Sequence, residues 1–234
     1  MSQTHTLSRF DDELDELRQL IDTMFKITRK NIKQSLTSIF EADTDMARQV
    51  IARDEVVNAL ELKIDELART MIIQFQPTAT DLRVVFSATK IVTDLERMSD
   101  LATQLAKNTL NIDGLIPQKS TSIPIMRELL LEQVKNTRKA YIKNNIQLAR
   151  KVIEQDGLLD DSYENCQRVL LTRMVEDPSS ISYSITLTNT AKVIERIGDH
   201  ACNIAEMIIY TSTSHEVRHL SLEELNDVLD DEDD

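Results

Sequence analysis

The sequence predicts an all-α protein of six helices, arranged as two tandem three-helix bundles related by a pseudo-two-fold. Glycine (3 residues) and proline (4 residues) are rare in the 234-residue chain, which favours helices with short connections. Apolar residues recur at spacings of three and four along most of the chain, as on amphipathic helices. The second half also repeats the pattern of the first, which indicates duplication of a three-helix unit.

Two pairs of matching segments define the repeat. KIVTDLERMSDLATQLA begins at Lys90 and NTAKVIERIGDHACNIA at Asn189, so the shared Glu-Arg-x-x-Asp motifs are 99 positions apart. MARQVIARDEVVNA begins at Met46 and LARKVIEQDGLLDD at Leu148, 102 positions later. The second half is therefore about three residues shorter between its second and third helices.

Capping and breaking residues delimit the helices of the first half. Asp43 is predicted to cap the second helix, and Pro77 to end it. Thr78 followed by Asp81 resembles a capping box that opens the third. The predicted helices span about Ser8–Glu41, Asp43–Phe75 and Thr78–Asn111.

The second half is predicted to follow the same plan. Its first helix runs from about Pro124 to Gln155, with a candidate break near its end, and a short helix follows from about Leu158 to Val175. Asp177 then provides an N-cap, with Pro178 at the first helical position, and the sixth helix runs to about Thr211.

The sequence divides into two bundles and an acidic C-terminal tail, at residues 1–115, 116–216 and 217–234. Asp113, Gly114 and Pro117 mark the linker between the bundles. The tail has a short amphipathic piece around Leu220–Leu229, followed by five consecutive acids, and is expected to be mobile.

The composition restricts the classes of partner. A formal charge of −13 disfavours general binding to nucleic acid or to an anionic membrane surface, since both need an excess of Lys and Arg. The sequence shows neither a signal peptide nor an apolar run of about 20 residues, so we expect a cytoplasmic protein with no direct membrane insertion. Cys166 and Cys202 are interpreted as free thiols in a reducing compartment.

The repeated motif places carboxylates on the helix face opposite the apolar stripe. On a helix, Glu96 and Asp100 lie about 40° apart, and Glu195 and Asp199 have the same spacing. The second helix of each half carries further polar residues on one stripe, namely Asp54, Asn58, Glu61 and Asp65 in the first half and Asp156 and Asp160 in the second. Oxygen-rich groups of this kind suit Mg, Mn, Ca or ferric iron.

Two other interpretations of these residues stay open. An acidic pair at i and i+4 is commonly a solvated helix face, and its recurrence also follows from shared ancestry alone. Arg97 and Arg196 are candidates for partner binding or for ion pairs with a neighbouring helix. Catalysis finds little support, because the Glu-x-x-His pairs of a di-iron oxidase, Gly-rich phosphate loops and nucleophile motifs are absent, so we expect a protein that is not an enzyme.

The chain resembles the PhoU family of phosphate-specific transport system accessory proteins. The resemblance rests on QPTATDLRVVFSATKIVTDLERMSD, RQVIARDEVVNALELKIDELA, KVIERIGDHACNIAEMIIY and the terminal FDDELDELR and VRHLSLEELNDVL. It implies two three-helix bundles, often assembled as homodimers. It also implies a regulator that represses phosphate-starvation signalling and restrains phosphate uptake, by linking the ATPase subunit of the phosphate ABC transporter to a sensor histidine kinase.

The resemblance also implies a metal-binding motif, because some PhoU proteins bind multinuclear metal through Glu/Asp-x-x-x-Asp. The ions implied are Fe, Mn, Mg or Zn. The motif falls on Glu96, Asp100, Glu195, Asp199, Asp54, Asn58, Asp156 and Asp160. Asn58 departs from the pattern and removes one charge, so the first half is expected to bind metal more weakly unless Glu61 compensates.

We therefore predict a helical adaptor that reports transporter state to a sensor kinase by protein contact. The alternative is a metal-binding carboxylate bundle that acts as a metal store or a metal-dependent enzyme. The sequence shows no basic anion pocket, so direct binding of phosphate is not expected.

Overall fold

The computed structural model describes residues 2–111, 121–218 and 220–230, and the regular structure in these ranges is helical throughout. The seven α-helices of the described chain are α1 (Ser2–Glu41), α2 (Thr44–Phe75), α3 (Ala79–Asn111), α4 (Ile123–Lys143), α5 (Ile146–Glu176), α6 (Ile181–Thr213) and α7 (Leu222–Asp230). The predicted all-α class is confirmed, with α1 to α6 as the six principal helices.

The ends of α2 lie where the capping residues predict them, whereas α1 begins at Ser2 instead of about Ser8. The Asp43 side chain accepts a hydrogen bond from the Met46 backbone N–H at 2.8 Å and so caps α2. Gln76 ends α2 in the left-handed region (φ 49°), and Pro77 follows. These ends leave α2 long enough to lie beside α1 and α3 over most of their length.

The break in the second half does not lie where the sequence predicts it. The first helix of that half was expected to reach about Gln155, but α4 ends at Lys143. Asn144 turns the chain in the left-handed region (φ 45°), and the Asn145 side chain accepts from the Leu148 N–H at 2.7 Å. The two asparagines thus end one helix and cap the next, whereas α5 runs through Gly157 at the modest cost of an interior glycine, about 1 kcal/mol.

The final helices also differ in detail from the prediction. Asp177 accepts a hydrogen bond from the Ser179 N–H at 3.0 Å and caps a single 3-10 turn, after which α6 begins. Near the C-terminus Val217 and Leu225 are buried in the apolar core, so this segment and α7 pack on the bundles. The predicted linker at residues 113–117 and the last four acids, 231–234, lie outside the described residues.

The two bundles pack on each other through equivalent helices. Helices α1 to α3 contact one another, as do α4 to α6, and the halves meet where α3 packs on α6 and α1 on α4. Buried apolar residues of both halves form one continuous cluster. The Arg138 Nε of α4 donates to Asp22 Oδ1 of α1 at 2.8 Å. A pseudo-two-fold axis requires that equivalent helices contact each other. These contacts bring α3 and α6, which carry the two Glu-Arg-x-x-Asp motifs, side by side.

Among the described helices, none combines the length and the hydrophobicity needed to cross a lipid bilayer.

Candidate functional site

The tightest group of carboxylates lies in the second half, between α5 and α6. Asp156 and Asp160 are one turn apart on α5, and Asp199 is on α6. Each offers an oxygen, and these oxygens lie within 4.8 Å of one another. Within the described ranges this is the one group of three or more candidate ligands so close together, and we call it the α5–α6 cluster.

Gly198 is what allows the two helices of the α5–α6 cluster to approach. A Cβ at this position would lie 2.5 Å from Cδ2 of the buried Leu159 and 3.0 Å from the Gln133 Oε1 atom. Any larger residue would therefore force the Leu159 and Gln133 side chains out of their places.

Gln133 on α4 completes the wall of the cluster, and sequence reasoning missed it. Its Nε2 donates to Asp156 Oδ1 at 2.9 Å and also contacts the Cys202 sulfur at 3.3 Å. Its Oε1 is buried without a hydrogen-bond partner among the described residues. The internal repeat could have identified this residue. Gln133 lies 102 positions after Asn31, the residue at the equivalent place in the first half.

Glu195 lies beside the cluster, and one of its two carboxylate oxygens forms an ion pair with Lys192. Its Oε1 accepts from Lys192 Nζ at 2.6 Å, while its Oε2 is buried and has no partner in the described part of the chain. A buried carboxylate oxygen without a donor is costly, so this atom and Gln133 Oε1 are two further oxygens suited to a cation. The donor set fits a hard metal ion.

The electrostatics of the α5–α6 cluster favour a neutralising ligand. Burial and then the charges of Glu195, Asp156 and Asp160 raise the pKa of Asp199 to about 6. Burial, followed by Asp156 and Glu195, also raises the pKa of Asp160. Raised pKa values mean that the folded chain resists full ionisation here, and a bound cation would relieve that repulsion.

The equivalent place in the first half is built differently. The Ser99 hydroxyl, where the second half has Gly198, donates to Asp54 Oδ1 at 2.8 Å and accepts from the Asn31 amide at 3.1 Å. Arg53 in turn donates to Asn31 Oδ1 at 2.8 Å. Asp54 is thereby held by a protein hydrogen-bond chain, and the neighbouring Asn58 supplies no charge.

Acidic residues of α2 and α3 nevertheless interact in the first half. Burial and then Asp100 and Glu61 raise the pKa of Glu96, and burial and then Asp65 raise the pKa of Glu61. Glu61 therefore interacts electrostatically with the motif carboxylates. It is the residue that the sequence indicates as a candidate to replace the charge missing at Asn58. Each half brings its predicted carboxylates together, but the first group is looser.

The motif arginines do not pair with a neighbouring helix. Arg97 contacts Glu96 of its own helix at 3.7 Å, and Arg196 has no ion pair within 4.0 Å among the described residues. Both line one cavity between α3 and α6. Among the described residues, neither arginine forms an ion pair with a neighbouring helix.

The cysteines carry no sign of nucleophilic chemistry. Cys166 and Cys202 are buried and free. Burial raises the pKa of both thiols, and for Cys202 the nearby Asp156 raises it further. A thiol that resists ionisation is a poor nucleophile and a poor metal ligand.

Comparisons with known proteins place this geometry in a family. The PhoU domain family matches residues 21–109 and 123–208. A phosphate-specific transport system accessory protein PhoU homolog from Pseudomonas putida is 34% identical over 227 residues, covering 96% of this chain and 89% of the relative. The accessory protein PhoU of Escherichia coli (strain K12) is 31% identical over 229 residues, covering 96% and 94%.

A solved structure shows the same fold. The crystal structure of PhoU from Pseudomonas aeruginosa superposes with a TM-score of 0.82 at 30% identity, covering 88% of this chain and 100% of that one. The tandem three-helix bundles predicted from the sequence agree with this likeness. The family consists of regulatory accessory proteins rather than enzymes, in line with the sequence prediction.

Proposed function

The chain belongs to the PhoU family, and on that basis we propose that it is a cytoplasmic negative regulator of phosphate-starvation signalling and phosphate uptake. It links the ATPase subunit of the phosphate ABC transporter to a membrane sensor histidine kinase and acts as a homodimer. The observation that carries this proposal is the near end-to-end match to relatives named as phosphate-specific transport system accessory proteins.

The architecture suits an adaptor that works by contact. The chain presents two related polar surfaces, one on α2–α3 and one on α5–α6, joined by a single apolar core. A rigid body with two such surfaces can contact two partners at once, or the same partner twice.

The α5–α6 cluster is the metal site of this proposal. Asp156, Asp160 and Asp199 would hold Fe, Mn, Mg or Zn, with the unpaired oxygens of Gln133 and Glu195 beside them. When bound, the ion supplies positive charge that offsets the repulsion between carboxylates. We expect weaker metal binding in the first half, because Asn58 removes a charge and the Ser99 hydroxyl already donates a hydrogen bond to Asp54.

Co-purification with both partners tests the adaptor. Tagged ATPase subunit and kinase cytoplasmic domain should each retain the wild-type chain, and the Glu195→Ala/Asp199→Ala variant should be retained less. The matched control is Asp11→Ala/Asp15→Ala, which removes an exposed acidic pair of the same spacing from α1. If the wild-type chain binds neither partner, the adaptor proposal is wrong.

Elemental analysis of the same samples tests the metal separately. Wild-type and control chains should contain metal after incubation with Fe, Mn, Mg and Zn, and the α6 variant should have lost most of it. Metal binding without partner binding would favour the metal-store alternative, while partner binding by a metal-free chain would leave an adaptor whose carboxylates contact protein directly.

A further inference from the structure

A cavity of about 330 Å³ lies between α3 and α6, on the side of the molecule that carries the motif carboxylates. Its walls include the arginines of both motifs, Arg97 and Arg196, together with Lys107 and His200. Asp100 is the one carboxylate among the lining residues. Three permanent cations thus face one anion, in a chain whose formal charge is −13.

These cations have few partners of their own. Within the described residues, Lys107 and Arg196 make no ion pair closer than 4.0 Å, and Arg97 has only Glu96, at 3.7 Å. Cations gathered around one space repel each other unless an anion lies between them. His200, which also lines the cavity, contacts Asp94 Oδ1 through its Nδ1 at 2.8 Å.

A buried hydroxyl in the cavity wall also lacks a partner. Thr103 is 4% exposed, and its Oγ1 makes no hydrogen bond within the described part of the chain. A helical threonine commonly bonds a carbonyl one turn back, as Thr109 does to Leu105 at 3.3 Å. The Thr103 hydroxyl is therefore a donor or acceptor that a polar ligand in the cavity would satisfy.

We propose that this cavity binds a small tetrahedral oxyanion that carries a proton, such as hydrogen phosphate. The forked guanidinium groups of Arg97 and Arg196 match the spacing of oxyanion oxygens, and Lys107 adds charge. Thr103 donates a further hydrogen bond. Asp100 accepts from the protonated oxygen, so an oxyanion without a proton, such as sulfate, binds more weakly.

The proposal departs from the sequence-based expectation that the chain has no basic anion pocket. The basic residues are dispersed in the sequence, and Arg97 and Arg196 belong to different halves. Only the packing of α3 on α6 brings them to one cavity. The site needs neither a bound metal nor a partner protein, so it stands apart from the adaptor proposal.

Titration calorimetry of the full-length, chelator-treated chain with inorganic phosphate tests the site. At constant ionic strength we expect saturable binding of phosphate, and sulfate at least about tenfold weaker. Arg97→Gln/Arg196→Gln should weaken phosphate binding at least about tenfold, and Thr103→Val about threefold. The control Arg29→Gln/Arg48→Gln removes the same charge from exposed positions outside the cavity and should bind like wild type.

Three results would each overturn the proposal. The first is wild-type protein that does not bind phosphate saturably. The second is equal binding of sulfate, which would contradict the hydrogen bond to Asp100. The third is an equal loss in the Arg29/Arg48 control, which would indicate a general charge effect. Thr103→Val keeps the side-chain shape and the charge, so it tests the cavity even if the arginine variant is poorly folded.

Discussion

Asp199 shows how burial and neighbouring charges act on a single carboxylate in this protein. Its pKa is raised to about 6, first by burial and then by Glu195, Asp156 and Asp160. A raised pKa means that the folded state holds the proton more tightly than the unfolded state does. The free energy of unfolding therefore falls as the pH rises from about 4 to 6, and the loss persists at higher pH.

Replacing Asp199 with asparagine should therefore stabilise the metal-free protein. At pH 8 in chelator we expect Asp199→Asn to raise the free energy of unfolding by about 1 kcal/mol, a figure reduced for the exposure of this side chain. The gain should vanish near pH 4, where the native carboxyl is protonated. Urea unfolding at the two pH values measures both quantities.

The matched control for this substitution is Asp11→Asn, at an exposed position of α1. It removes the same charge without touching the cluster and should change stability little at either pH. If metal-free Asp199→Asn is less stable than wild type at pH 8, the folded protein stabilises the ionised Asp199 carboxylate. That result would contradict this account.

The sequence identified the carboxylates but not the groups that surround them. Asp156 and Asp160 on α5, and Asp199 with Glu195 on α6, could be predicted because the spacing along each helix fixes which side chains share a face. Gln133 could not be placed in the same way, because its contact depends on how α4 is rotated against α5 and α6. The joint cavity of Arg97 and Arg196 is a second case, since it depends on packing between halves.

At the scale of helices, the break between α4 and α5 shows what local sequence signals miss. A glycine beside an aspartate resembles a turn, yet α5 passes through Gly157 without a break. The true break has Asn145 as its cap, 102 positions after the cap Asp43. The internal repeat therefore predicts the correct position of the break between α4 and α5, whereas local residue propensities do not.

The two glycines of the second half predict opposite effects of the same substitution. Gly198→Ala should lower the free energy of unfolding by about 1–2 kcal/mol, because its Cβ would lie 2.5 Å from the Leu159 side chain. Gly157→Ala should raise it by about 0.5–1 kcal/mol, because the new methyl meets open space on a helix. Chemical denaturation of the two variants beside wild type measures this difference.

The contrast between these glycines tests helix packing at the cluster. If Gly198→Ala is as stable as wild type, then α5 and α6 can separate at little cost, and the cluster would not be held at fixed geometry. Destabilisation by Gly157→Ala would instead point to a local distortion of α5 that the structure does not show.

For the whole molecule, duplication has produced two surfaces that are related but unequal. The second half has three carboxylates with closely spaced oxygens and an unpaired amide oxygen on α4. The first has Asn58, a hydrogen-bonded Asp54 and Glu61 as its additional acid. One apolar core joins the two halves that carry these surfaces.

The most direct test of the regulator is a phosphate-starvation reporter in phosphate-rich medium. A strain that lacks this chain should show high reporter activity, because the proposed brake on the sensor kinase is missing. The wild-type chain and the Asp11→Ala/Asp15→Ala control should restore low activity, while Glu96→Ala/Asp100→Ala/Glu195→Ala/Asp199→Ala should restore it incompletely at equal protein level. Low reporter activity in the strain that lacks the chain would contradict the account.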